Sequence, residues 1–488
     1  MRGISIKVLS KIMQVPAFGK IILKNLKKNA FSAFQVQLEH ALEKQEKSVK
    51  AKFKRMENTD IGTKLQIHPG SGLESIQFTN YAFYEPFYNN PSPSSFMYPL
   101  EEYVRIKTSG TTGKDKWFLI PRRAMRAALR ETGLPIAFAA FHDGEKITME
   151  YGDTIYLNMG PAPYISGAMV SMGSKEKQVP FLNLVPNINL SYKQKVEYFT
   201  LNHKKIDAAW IMASTLVNHI MPNVHEPVHL KGLMLLDDLV ARAYKKEITE
   251  FTGVSPKTSY ASTETPACSI PSIQYPLGFI FDPRRGVFEF SPLEKDEKSN
   301  HRVLGLENVQ VGEKYRLYFT DLIGELTRYD TTISFKCIAK GDDLLFSDFP
   351  IFEYHSRLDK AISISNYTRI TENELITTFK NAGVQFMDFT AKVERESGYE
   401  YLHLYVELLA KKSPKEVETA IHQQLYTNDG DYKMLADFFD YVPIRVNLLP
   451  KGTIAKFLEQ RAGGVPKMTR IDMKEEDFNQ LMTLANKL

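Results

Sequence analysis

The run Thr108-Ser109-Gly110-Thr111-Thr112-Gly113-Lys114-Asp115-Lys116 concentrates more usable chemistry than any other part of the chain. Gly110 and Gly113 let the backbone turn with positive φ and come close to a ligand. Successive N–H groups in such a turn form a concave anion site. The hydroxyls of Thr108, Ser109, Thr111 and Thr112 add donors, and Lys114 and Lys116 add positive charge. A polyphosphate fits this set. The pattern is not a Walker loop, which needs a glycine where Thr108 stands and a Ser or Thr where Asp115 stands. The plain alternative is a polar surface turn.

Thr-Ser-Gly-Thr-Thr-Gly-x-x-Lys resembles the phosphate-loop signature of the acyl-adenylate-forming superfamily, which includes acyl-CoA synthetases, peptide-synthetase adenylation domains and luciferases. Tyr260-Ala261-Ser262-Thr263-Glu264 is similar to its second signature. The resemblance implies ATP and Mg²⁺ as cofactors. Tyr260 would stack on adenine, Thr263 would bond the α-phosphate, and Glu264 would hold the metal through hard oxygens. Read alone, the pentapeptide could equally cap a helix.

A narrower likeness follows. Gly312-Glu313-Lys314-Tyr315 to Thr320, then Gly324-Glu325-Leu326-Thr327-Arg328-Tyr329, resembles the auxin-conjugating acyl acid–amido synthetases and their microbial relatives. Gln35, Gln37 and Leu38, Gly452-Thr453-Ile454 and Lys467-Met468-Thr469-Arg470 match further elements of that branch. The phenylacetate–CoA ligase branch shares much of the same scaffold. By this resemblance Lys467 swings in during adenylation, with Lys116 and Glu264 as the other catalytic groups. Ser356-Arg357-Leu358-Asp359-Lys360 is similar to the superfamily hinge, with Arg357 on ribose or phosphate; otherwise it is an exposed salt-bridge turn.

Two departures stand out. After Arg-Tyr the superfamily has Gly-Asp, whose aspartate holds the ribose hydroxyls. Here Asp330-Thr331-Thr332-Ile333 follows Tyr329, so Ile333 takes the aspartate position unless Asp330 serves from a shifted backbone. Leu235-Leu236-Asp237-Asp238 stands where a Gly-Gly turn is common. Both departures keep open a degenerate, nucleotide-binding protein.

The elements that must position these groups alternate. Tyr103 to Thr108 and Trp117 to Ile120 read as strands around the loop, and Pro121 opens a helix near 122–134. Strand-then-helix units recur at Thr154–Asn158, Ala208–Met212, Leu233–Leu236 and Thr258–Ala261, which predicts an α/β body with helices over largely parallel sheet. Residues 273–335 read as a β-rich subdomain. Beyond 360 an α+β pattern of small-domain size follows. The expected layout is a helical segment over 1–60 packing on the body, a large ATP- and acid-binding domain over 61–356, and a small mobile C-terminal domain over 357–488. Residues 4–28 read as two short helices broken at Pro16 and Gly19, and 31–57 as one helix. The apolar stretches Pro161–Gly167 and Trp210–Ser214 are candidate walls for an aromatic or aliphatic acid, or simply core.

The chain has 488 residues, with 43% hydrophobic and 24% charged, which excludes disorder as the main state. Two cysteines, Cys268 and Cys337, exclude a disulfide framework and a cysteine zinc site and favour a reducing, cytoplasmic setting. No histidine spacing suggests zinc. Residues 1–38 hold seven basic side chains and no acidic one; the remainder holds 55 basic and 57 acidic, so no nucleic-acid partner is expected. Residues 1–28 read as a helix pair with a solvated lysine face, with weak contact to an anionic membrane surface as the other reading. No apolar run is long enough to span a bilayer, and no signal-peptide cleavage site is expected. The partners implied are a small carboxylic acid and an amine or CoA acceptor.

Overall fold

The computed structural model describes residues 15–32, 34–108, 116–175, 181–236, 238–293, 303–358, 361–364, 368–396, 399–439, 441–461 and 467–488. They fall into two compact units, one running to Tyr354 and the other from His355 to Leu488.

The first unit begins with helices. Pro16 opens α1 (Pro16–Lys28). A proline is tolerated at a first helical position because its missing N–H would have no partner there. Gly19 lies buried inside the same helix rather than ending it, so the expected break at Pro16 and Gly19 is replaced by a start; residues 1–14 lie outside the described residues. The expected single helix over 31–57 is two, α2 (Phe34–Glu43) and α3 (Gln45–Met56). Gln35 accepts the Asp348 N–H at 3.0 Å, Gln37 accepts from Arg284 at 2.9 Å, and Gln45 donates to the Gly286 carbonyl at 3.1 Å. These amides fix the two helices separately on the body.

Strands β1 (Tyr103–Lys107) and β2 (Trp117–Pro121) pair antiparallel, Lys107 opposite Trp117. Five parallel strands follow: β3 (Thr154–Leu157), β4 (Asn183–Val185), β5 (Ala208–Ile211), β6 (Gly232–Leu235) and β7 (Lys257–Thr258). Their order is β4-β3-β5-β6-β7. The connection from β4 crosses β3 to reach β5, so the chain reverses direction between β3 and β5. In such sheets ligands bind beyond the carboxyl ends of the strands at that reversal. Side chains alternate as the period of two requires. Ile155 and Leu157 join one core, and Tyr156 joins another with Phe199, Leu233 and Ile248.

The first of these cores is shared with a six-stranded sheet, β8 (Ser269–Pro271), β9 (Phe279–Phe281), β10 (Gly286–Pro292), β11 (Lys314–Asp321), β12 (Tyr329–Asp342) and β13 (Ser347–Arg357), in the order β10-β11-β12-β13-β9-β8. Phe281, Phe290, Phe335 and Phe352 are fully buried there. Each is worth roughly 1.5–3 kcal/mol relative to exposure. This is the β-rich stretch expected from residues 273–335. The helix expected near 122–134 continues to Ala140 through a π-helical turn at Leu129–Gly133.

The second unit holds the hairpin β14 (Ala361–Ile364) and β15 (Thr368–Thr371), and a three-stranded sheet of β16 (Phe386–Glu396), β17 (Tyr399–Leu408) and β18 (Ile444–Leu449). Helices Glu372–Asn381 and Pro414–Asn428 start at reciprocal capping boxes, Thr371 with Glu374 and Ser413 with Glu416. The whole is the mixed α/β architecture anticipated from the alternating pattern.

Candidate active site

The phosphate-loop motif falls between β1 and β2 in the sequence. Thr108 N–H donates to the Lys116 carbonyl at 2.9 Å and closes the loop at its base. Ser109, Gly110, Thr111, Thr112 and Gly113 lie outside the described residues, as do Lys114 and Asp115. The Lys116 ammonium lies 5.2 Å from the centre of the Tyr81 ring, within range of a cation–π attraction. The Tyr81 hydroxyl accepts the Trp117 N–H at 3.0 Å. Arg105 sits over the Trp117 ring at 4.6 Å. Tyr81, 36 residues away in sequence, thus sets the stem of the loop, and no motif or spacing marks it.

Next to this stem lies the first stretch expected to line an acid pocket. Lys107 N–H donates to the Pro163 carbonyl at 3.0 Å. Gly167 allows the tight fold of that stretch, because a Cβ there would sit 2.2 Å from the Pro161 carbonyl carbon. Lys195, fully enclosed, donates to the carbonyls of Met159 at 2.6 Å and Ile188 at 2.7 Å, and burial pulls its ammonium pKa down to about 8. It holds the start of the same stretch at the carboxyl end of β3, beside the chain reversal.

The second motif follows β7. Tyr260 is locked by Ser269, whose hydroxyl accepts the Tyr260 N–H at 2.7 Å and donates to its carbonyl at 2.8 Å. Its ring packs against Phe279, Phe281 and Phe335, with centroids 4.8–6.3 Å away. Its hydroxyl is buried, and burial raises its pKa. A polar turn follows, with Ser262 and Thr265 hydroxyls 2.9 Å apart. It carries Thr263, buried, and Glu264, half-buried. The Glu264 carboxylate makes no hydrogen bond or ion pair among the described residues. Its charge adds to burial in raising the hydroxyls of both Tyr260 and Tyr329.

Tyr329 closes the circuit. Its ring meets Tyr84 at 6.1 Å and Phe118, on β2, at 6.3 Å. Phe118 in turn meets Tyr81 at 5.3 Å. One aromatic wall therefore runs from beneath Lys116 to the neighbourhood of Glu264.

Asp330 is committed elsewhere. Arg316 grips its carboxylate with two donors, Nε at 2.9 Å and Nη2, and the Thr332 N–H donates to the same carboxylate at 2.9 Å. Across the pair, Arg316 faces Ser334 and Tyr318 faces Asp330. Leu317 alone therefore lies opposite Thr331, Thr332 and Ile333. This bulge places Thr332 at φ +57° and folds Ile333 into the core. The departure from Gly-Asp is thus a bulge plus an internal ion pair. Asp237, in the other departure, lies outside the described residues.

Arg328 is structural. It holds Glu289 through Nε at 3.0 Å and Nη2 at 2.8 Å, donates to the Ile76 carbonyl at 2.7 Å, and covers the Phe78 ring at 4.0 Å.

Arg357 and Lys467 belong to the second unit. Arg357 ends β13; Asp359 and Lys360 of the hinge motif lie outside the described residues. Lys467 is exposed and followed by buried Met468, Thr469 and Arg470. Arg470 donates to Asp388 at 2.7 Å and to Glu372 at 2.8 Å, and its carbonyl accepts the Ala391 N–H at 2.7 Å. The Gly452-Thr453-Ile454 motif opens a helix whose Gly452 and Ile454 N–H groups donate to Glu407 at 2.7 and 2.8 Å. Gly452 takes φ +89° there, which favours glycine.

Glu394, Glu396 and His403 bring ligand-type atoms within 4.8 Å of one another. Ordinary pairing accounts for them: Glu394 takes Tyr405 at 2.7 Å and Lys392 at 3.1 Å, and Glu396 lies 2.9 Å from His403.

Residues 279–339 match the GH3 family central domain. The GH3.15 acyl acid amido synthetase in complex with 2,4-DB superposes with a TM-score of 0.67 at 14% identity, covering 99% of this chain and 97% of that one. A further GH3.15 structure gives 0.68 at 15%, over 93% and 96%. 2-Hydroxyisobutyryl-CoA ligase in the postadenylation state with 2-HIB-AMP gives 0.61 at 14%, over 91% and 92%. No curated protein matches the chain.

Proposed function

We propose that this chain, which has the fold of adenylate-forming ligases and a GH3-type central segment, activates a carboxylic acid as acyl-AMP and passes the acyl group to an amine. The carboxylate oxygen attacks the α-phosphorus of ATP, and pyrophosphate leaves. An amine then attacks the acyl carbonyl, and AMP leaves. A carboxylate is a poor electrophile, and AMP supplies the leaving group it lacks. Positioning and charge stabilisation carry most of the barrier reduction.

The observation that carries this reading is the shared aromatic wall that connects Lys116 with the unpaired Glu264 carboxylate. In this assignment Lys116 and the loop from Thr108 to Gly113 hold the β- and γ-phosphates, and Thr263 bonds the α-phosphate. Glu264 fits a divalent cation because its carboxylate has no partner among the described residues; Mg²⁺ there would offset charge on the departing pyrophosphate. Tyr260 borders the adenine. Arg357 and Lys467 act from the C-terminal unit. Asp330 contributes only if Arg316 shares it.

The second reading keeps the chemistry and uses CoA as acceptor; the likeness to a CoA ligase favours it. The internal pairing of Asp330 favours a third, a nucleotide-binding protein without turnover. Two free, buried thiols support a reducing compartment, with a cytoplasmic setting proposed on that ground.

Carboxylate-dependent pyrophosphate–ATP exchange across an acid panel tests the proposal. Lys116→Ala and Glu264→Ala should each lower exchange by about 10²–10³. Full exchange in either variant overturns the site assignment, and ATP binding without exchange selects the third reading. Hydroxylamine trapping of acyl-AMP, followed by CoA against amino acids, separates the two acceptors.

A further inference from the structure

Helix α1 has two faces, and the body uses one. Gly19 and Leu23 are buried, Leu26 packs on the core, and Lys27 turns its ammonium to the Met149 carbonyl at 2.8 Å. On the opposite side Phe18 is 56% and Ile21 60% exposed, and Val15 at the helix start is 47% exposed. At 100° per residue Phe18 and Ile21 share a stripe with Lys24 and Lys28, and Lys20 borders it. Lys20, Lys24 and Lys28 are exposed and make no ion pair among the described residues. The first acidic residue in the sequence is Glu39. Phe18 and Ile21 are thus large apolar side chains on a water-facing stripe whose other members, Lys24, Asn25 and Lys28, are polar.

We propose that this face docks on an anionic lipid bilayer, with Phe18 and Ile21 entering the acyl boundary and Lys20, Lys24 and Lys28 lying over the headgroups. Charge complementarity selects this occupant. Exposed apolar side chains accompanied by cations and by no acidic residue are what an interfacial helix presents to acidic lipid. Arg2, Lys7 and Lys11 extend the same charge along the sequence. Two or three inserted side chains give shallow, reversible binding. The inference is independent of the ligase reading.

Flotation of the full chain with phosphatidylcholine vesicles, with and without about 30 mol% phosphatidylserine, tests it. The chain should float only with the acidic lipid, and less in roughly 0.5 M NaCl. Phe18→Ser with Ile21→Ser should lower the bound fraction about tenfold with an unchanged unfolding midpoint, because both side chains are exposed. Lys20, Lys24 and Lys28 changed together to Ser should do the same. Absence of serine-lipid-dependent flotation overturns the proposal. So does flotation that survives both variants, or a wild-type dimer that the Phe18/Ile21 variant dissociates, which would assign the face to a second copy of the chain.

Discussion

Replacing Glu325 with glutamine tests how the turn ahead of Asp330 is built. The carboxyl is 2% exposed. Its Oε1 accepts the Tyr103 hydroxyl and the Met97 N–H, the latter at 3.2 Å, while Oε2 is buried without a partner among the described residues. The Lys52 ammonium nearby is spent on the Asp321 and Leu326 carbonyls at 2.7 and 2.6 Å. Burial therefore dominates and pushes the Glu325 carboxyl from 4.5 up to about 7. A raised folded-state pKa means that the folded protein holds this proton more tightly than the unfolded chain. The resulting stabilisation is complete below pH 4.5 and is lost as pH rises through 7. A shift of this size corresponds to about 3 kcal/mol. Glutamine keeps the Oε1 acceptor and never ionises. Its amide nitrogen has no acceptor in place of Oε2, a constant cost of about 1–3 kcal/mol. Glu325→Gln should therefore gain about 2.5 kcal/mol on the wild type between pH 5 and pH 8. Both tryptophans, Trp117 and Trp210, lie in the first unit, so tryptophan fluorescence in urea reads the relevant unit alone. A difference between the two proteins that stays constant, or shrinks with pH, refutes the reasoning.

Burial pushes the Cys268 thiol up to about 12 and also raises Cys337. A thiol reagent at about pH 8 should leave both intact in the native protein and modify both in urea; fast native labelling contradicts this. Arg328→Gln leaves Glu289 buried without its cation and should cost about 3–5 kcal/mol in the fluorescence assay. A loss below about 1 kcal/mol means that water replaces the arginine. Lys467→Ala should cut acyl-AMP formation about 10²-fold or more while transfer from supplied acyl-adenylate stays within about threefold; equal losses in both steps contradict a role confined to adenylation.

Sequence periodicity reached the elements because the strands are short and bounded by turn residues: β1, β2, β3 and β5 sit within a residue or two of where alternation puts them. It failed where tertiary contacts set the outcome. Gly19 is a poor helix former, yet the helix runs through it because that side rests on the core. The junction near Lys44 is fixed by glutamines reaching residues more than 200 positions away. Motif spacing singled out the loop, Glu264 and Lys467 because each is a local string. It could not locate Tyr81, which meets Lys116 only after folding. Nor could an ungapped reading of Asp330 to Ile333 reveal a bulge, since a bulge is defined by the partner strand, here Leu317.

The stitches between the first eighty residues and the turn at 321–330 carry a consequence for biogenesis. Lys52 bonds a carbonyl 269 positions downstream, and Thr79 bonds one 248 positions downstream. Such closures are entropically expensive and slow. During translation the amino-terminal helices leave the ribosome long before their acceptors exist, so a lysine destined for the interior must wait hydrated and charged. Final consolidation of the aromatic wall is therefore a late event. Nascent chains stalled before residue 330 would be substrates for chaperones rather than partly working enzymes.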